Sequence, residues 1–201
     1  MKSQGSQDAA SLEWALVSQR SGQESRKRKD IMETSDVKLA RVTRTDIDEL
    51  LHANRESRDY HGRWVQPFTT ATGFEEWYSA QITGASVGLL ARDTESGQIV
   101  GVTNLSQIFY KGFQNAYLSY WGMVSFAGTG RMSQAVELTT RYAFEELGLH
   151  RLEANIQPEN VRSIALVKRL GFRKEGFSPK YLQIAGVWCD HERWALLADE
   201  R

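Results

Sequence analysis

A single cysteine, Cys189, stands in 201 residues, which excludes an internal disulfide and any multi-cysteine zinc site. Charge of either sign is not in excess: 25 Lys and Arg balance 25 Asp and Glu, for a formal net charge of zero at pH 7. That balance leaves no whole-surface field to hold nucleic acid or anionic lipid, although it is compatible with a local patch. No run approaches the ~18 apolar residues of a membrane span, and the first residues lack the basic-then-apolar order of a secretion signal. A soluble, cytoplasmic protein is expected. The histidines His52, His61, His150 and His191 show no metal-ligand spacing, so no metal is assigned. Asp190-His191 is not joined by any nucleophile elbow, so a hydrolase triad is not indicated. No internal repeat is visible.

At 41% hydrophobic content the chain can bury one substantial core, and one folded domain is expected. Residues 1–36 differ from the rest: Ser, Gln and charge dominate, with one apolar island at Leu12, Trp14, Leu16 and Val17. So little apolar surface does not offset the entropy of ordering, and a mobile tail is predicted there, with the domain over 37–201. The basic run Arg26-Lys27-Arg28-Lys29 is flanked by acidic residues and reads as solvated rather than as an RNA contact. Met32, just before the folded pattern, is an alternative start.

From Val37 onward strands and helices alternate. Val37, Leu39 and Val42 suggest a first strand, and Thr45 is read as the N-cap of a helix bearing Ile47, Leu50, Leu51 and Asn54. A polar and aromatic connection over 58–70 holds Tyr60, Trp64 and Phe68, before a helix over 73–82. Three antiparallel strands are predicted over 87–92, 98–105 and 116–124. Met132, Ala135, Val136, Thr139, Ala143 and Leu147 then recur at helical spacing, ended by Gly148. A strand follows over 151–156, then a helix capped by Asn160 and stopped by Gly171, then paired strands around Ala185-Gly186. The order implies an α/β domain of the α+β type, with a mixed, mostly antiparallel sheet flanked by about four helices.

The segment Ser125-Phe126-Ala127-Gly128-Thr129-Gly130 lies between a strand and the longest amphipathic helix. Such a loop suits a pyrophosphate: glycines let the backbone approach, free amides donate, and the helix dipole favours the anion. No G-K-[ST] follows, and no Gly-rich loop trails the first strand, which argues against a P-loop or a dinucleotide fold. About thirty residues on come Asn160-Val161-Arg162-Ser163 and Leu170-Gly171-Phe172.

Together these segments resemble the GNAT acetyltransferase superfamily. Residues 144–155, and the tail Tyr181-Leu182 through Gly186, Trp188 and Asp190-His191, are similar to its branch that acetylates ribosomal-protein alanine termini. The resemblance covers roughly 37–197. It implies acetyl-CoA bound where strands 116–124 and 151–156 splay apart. Gly128, Thr129, Gly130, Arg131 and Met132 would meet the pyrophosphate, and the backbone near Met123 and Val124 the pantetheine arm. Asn160 and Ser163 would contact the cofactor from the other side. Ser125 departs from the Gln or Arg common in the superfamily.

Thioester-to-amine transfer needs a neutral nucleophile. At pH 7 an α-amine is ~10–20% neutral, while lysine is neutral at only a few parts in ten thousand, so a protein N-terminus needs far less base assistance. Glu153 is the expected base; it alternates with Leu152 and Ala154 and should lie beside the cleft. The tyrosine acid of several GNAT enzymes would fall at Val167, so Ser163 is assigned in its place, with Tyr120 and Tyr181 as alternatives. Trp64, with Tyr120, is expected to wall the amine site, while most other aromatics pack the core. Three functional readings stand: acetylation of a protein N-terminus, ribosomal or other; acetylation of a small amine such as an amino sugar, polyamine or antibiotic; or a non-catalytic acyl-CoA-binding, ribosome-associated role.

Overall fold

In the computed structural model the described residues are 32–83 and 85–200. Most of the predicted tail, with its basic run, lies outside them. Strands Met32–Glu33 (β1) and Val37–Arg41 (β2) lead into helices Ile47–Glu56 (α1), Arg58–His61 (α2) and Ala71–Thr83 (α3). Strands Val87–Asp93 (β3), Ile99–Phe109 (β4) and Asn115–Gly122 (β5) follow, then helix Arg131–Arg141 (α4). Strand Arg151–Ile156 (β6), helix Val161–Arg169 (α5) and the hairpin Arg173–Ile184 (β7) with Val187–Leu197 (β8) complete the domain. The sheet order is β1-β2-β3-β4-β5-β6-β8-β7, and every neighbouring pair is antiparallel except β5 with β6.

Helices cover both faces of this sheet. Leu39, Leu89, Val100, Leu118 and Leu152 of the strands pack with Leu138 of α4 and Val167 of α5 in one apolar layer. Leu90, Val102 and Trp121 of the strands pack with Leu50 of α1 and Phe74 of α3 in the other. Coverage on both sides explains why six of the seven β3 residues are buried, whereas β6 alternates buried Leu152, Ala154 and Ile156 with half-buried Arg151, Glu153 and Asn155.

Four expectations need correction. Met32–Glu33 pairs with β2, and Thr34 donates to Gln134 Oε1 at 2.6 Å while Gln134 donates to Asp36 at 2.8 Å, so 32–36 is tied to the folded domain and is not part of a free tail. Thr45 is not the cap of α1: Thr43 is extended and donates through its amide (2.8 Å) and hydroxyl (2.9 Å) to Asp46, around a short turn Arg44–Asp46. The connection over 58–70 contains the one-turn helix α2. The long helix changes after Arg141 to a wider π-type turn, Tyr142–Glu146, before Gly148 at φ +63°.

Candidate active site

β5 and β6 pair over only three positions, Asn115 with Arg151, Ala116 with Leu152, and Tyr117 with Glu153. Beyond them each strand follows its other neighbour. β5 stays with β4 through Gly122 opposite Gly101, and β6 stays with β8 through Ile156 opposite Glu192. The gap opens into a cavity of ≈ 810 Å³, walled by Leu118, Tyr120 and Gly122 on one side and by Ala154, Asn155 and Ile156 on the other.

At one end lies the glycine loop. Gly128 and Gly130 have φ of +77° and +83°, a left-handed conformation costly for other residues. Among the described residues no acceptor is bonded to their amides, and Gly130 is the N-cap of α4, where the helix dipole is positive. Gly128, Gly130 and Met132 line the cavity. Thr129 and Arg131 do not: the Thr129 hydroxyl donates to Phe126 O at 2.9 Å, and the Arg131 guanidinium is held by Asp93. The Asp93 carboxyl sits at about 2, because the Ser96 amide, the Ser96 hydroxyl and Arg131 all donate to it. A different cation faces this end. Arg169, the last residue of α5, donates to Ser133 Oγ at 3.2 Å, and both residues line the cavity.

Neither Met123 nor Val124 has a spare amide, since these donate to Val100 O (2.9 Å) and Ser57 Oγ (3.0 Å). Met123 still lines the cavity, whereas Val124 faces outward. Asn160 caps α5 by accepting from the Ser163 amide at 3.2 Å. The Ser163 hydroxyl lies 2.6 Å from the Tyr120 hydroxyl, which brings together two residues predicted separately. Burial pushes the Tyr120 phenol up to about 12, against the opposing effect of the Ser163 hydrogen bond. Val167 is on the buried face of α5, fully within the core.

The opposite face is built by α2 and the residues after it. Tyr60, His61, Trp64 and Val65 line the cavity there, with Arg162 of α5 set 5.8 Å from the Tyr60 ring centroid. Trp64, expected to wall the amine site, lines this cavity, and Tyr60 and His61 of the same aperiodic stretch line it as well. Buried His61 bonds Gly122 O through Nε2 at 2.9 Å, its Nδ1 has no hydrogen-bond partner among the described residues, and burial lowers its pKa. Glu153 is not among the lining residues. Its carboxylate accepts from Arg151 Nε at 2.8 Å, and Arg151 also holds Glu175. Trp77 and Trp121 pack in the core, but Trp188, near the β7–β8 turn, is exposed.

Residues 36–173 match the family described as the acetyltransferase (GNAT) domain. The chain is 40% identical over 100 residues to the probable N-acetyltransferase YjcK of Bacillus subtilis (strain 168), covering 50% of this chain and 55% of that protein. It is 39% identical over 104 residues to the ribosomal protein uS5-alanine N-acetyltransferase of Escherichia coli (strain K12), covering 52% and 54% respectively. The chain thus spans about half the length of these curated relatives. In fold it is similar to the spermidine N-acetyltransferase from Vibrio cholerae, solved with CoA and spermine, at a TM-score of 0.71 and 22% identity over 83% of this chain and 98% of that one. With a family match over more than half its length, this chain belongs to the GNAT acetyltransferase domain family.

Proposed function

We propose that the cleft between β5 and β6 takes acetyl-CoA, and that the chain transfers its acetyl group to the N-terminal α-amine of a protein, ribosomal or other. The residues fit the cofactor. Two unbonded glycine amides, the start of α4 and Arg169 suit a pyrophosphate, and the parted strands leave a slot for an extended arm. Bound acetyl-CoA supplies the acyl group and a sulfur leaving group. Tyr120 holds a proton on its buried oxygen and passes it through the Ser163 hydroxyl, 2.6 Å away, toward the departing sulfur. Glu153 has no role in this proposal, because Arg151 engages its carboxylate away from the cavity wall.

One observation carries the acceptor class. Among the described residues the cavity lining contains no Asp or Glu, and it contains Arg162 and Arg169. A polyamine or aminoglycoside brings several cations, each of which needs a carboxylate partner when drawn from water. An α-amine that is ~10–20% neutral at pH 7 needs none. Likeness in fold to a spermidine enzyme does not fix the acceptor. The test is thiol release from acetyl-CoA with Ala- and Ser-starting peptides, a lysine peptide blocked at its N-terminus, and spermidine. Turnover confined to free α-amines is expected, whereas preference for spermidine would overturn the acceptor assignment.

A further inference from the structure

We infer that His191 is the general base that removes the proton from the attacking amine, an inference that rests on the acetyl-transfer reading above. His191 is buried on β8 and lines the cavity. Its Nδ1 lies 2.9 Å from the carbonyl oxygen of Cys189. A carbonyl can only accept, so Nδ1 carries the hydrogen and the neutral ring keeps its lone pair on Nε2. The backbone thereby fixes the tautomer a base requires.

Strand alternation settles which side of the sheet the ring occupies. Trp194 and Leu196 of β8 belong to the layer beneath α4 and α5. Arg193 pairs with Asn155 of β6, so Asn155, Arg193 and His191 share the opposite face. That is the face on which α2 contributes Tyr60 and His61 to the cavity wall, while the Tyr120–Ser163 pair lies toward α5. The proton acceptor and the proton donor are thus placed on opposite sides of the splay, as entry of an amine and departure of a sulfur demand.

The other candidates on this face are disqualified by geometry. His61 already uses Nε2 on Gly122 O, and its Nδ1 is sealed within the protein. Glu153 is held by Arg151. Tyr181 of β7 has its ring centroid 6.2 Å from that of His191; Asp190, Glu192 and Arg193 stand beside it on its own strand, and His61 of α2 and Arg162 of α5 line the same cavity. Asp190 is engaged by the Lys180 amide at 2.7 Å.

The step balances as follows. The amine lone pair forms the new C–N bond, the C–S bond breaks, and one amine proton passes to His191 Nε2. The sulfur takes the proton of the Ser163 hydroxyl, which Tyr120 restores; the imidazolium discharges to water as the phenol regains its proton.

The experiment compares wild type, His191→Gln and His191→Ala on an Ala-starting peptide, with CoA affinity measured by calorimetry. Loss of about 10²-fold in kcat is expected for both variants, with CoA affinity unchanged and with added imidazole raising the rate of His191→Ala but not of His191→Gln. Spectra of the ¹⁵N-labelled ring should show hydrogen on Nδ1 and a bare Nε2. Unchanged kcat, loss of CoA affinity in parallel with rate, or a protonated Nε2 in the neutral ring would each overturn the inference. If the wild type acetylates only spermidine, the α-amine reading fails, and the same variants on spermidine then decide His191 separately.

Discussion

Replacing Gly130 by alanine separates the stability of the glycine loop from its capacity to hold an anion. Gly130 has φ +83°, and a Cβ placed there meets no atom within 4 Å among the described residues beyond its chain neighbours. The cost in the free protein is therefore conformational, ~1–2 kcal/mol for an L-residue in the left-handed region. At ~2–4 °C per kcal/mol for a chain of this size, the Tm should fall by roughly 2–8 °C. A fold stable by ~5–15 kcal/mol remains folded at 25 °C despite that loss. Any weakening of CoA binding then reports contact between the loop and the ligand. Displacing one amide from a phosphate oxygen removes a hydrogen bond to a charged group, worth ~1.5–3 kcal/mol, which is about 10- to 150-fold in Kd. Calorimetry with CoA measures this directly, and pantetheine, which lacks the pyrophosphate, should bind both proteins alike. A variant with the lowered Tm and undiminished CoA affinity would refute the assignment of the unbonded amides to the phosphates.

Two further outcomes follow from buried polar groups. Asn54 accepts from the Trp121 indole at 3.0 Å and donates to Phe68 O at 2.9 Å, so Asn54→Ala orphans two partners and should cost ~2–4 kcal/mol in chemical denaturation. A loss under ~0.5 kcal/mol, typical of surface positions, would show that these bonds are replaced by water. His61 has its pKa lowered from 6.5, chiefly by burial, so below that pH the unfolded imidazole binds a proton before the folded one does. Stability should thus decline as pH falls from about 6.5 toward the folded pKa, and His61→Gln, able to keep a donor toward Gly122 O, should lose that part of the slope in a Tm-against-pH series.

Features written in local chemistry were legible before the fold was known. Gly128 and Gly130 marked a loop of closely approaching backbone ahead of a helix, Ala185-Gly186 marked a hairpin turn, and alternation along 151–156 marked a strand. Features that depend on distant partners were not legible. The turn before α1 is anchored on the Asp46 carboxylate, which accepts from Thr43 on one oxygen and from Arg92 of β3 on the other at 3.1 Å. Arg131 is drawn from the phosphate loop by Asp93, and Glu153 from the cleft by Arg151, which also grips Glu175 of β7. Tyr120 and Ser163 meet only because the strands part between them. Tyr60 and His61 left no periodic signal, since α2 is a helix of four residues.

Three residue pairs are all that hydrogen-bond β5 to β6, so the sheet is two ladders sharing a short seam. One ladder carries β1 to β5; the other carries β6 to β8. An extended molecule lying in the gap touches both rails and acts as rungs that the polypeptide itself does not supply. Binding then fastens the two ladders together, and the ligand becomes a structural member of the sheet whose presence sets how firmly the C-terminal hairpin is held.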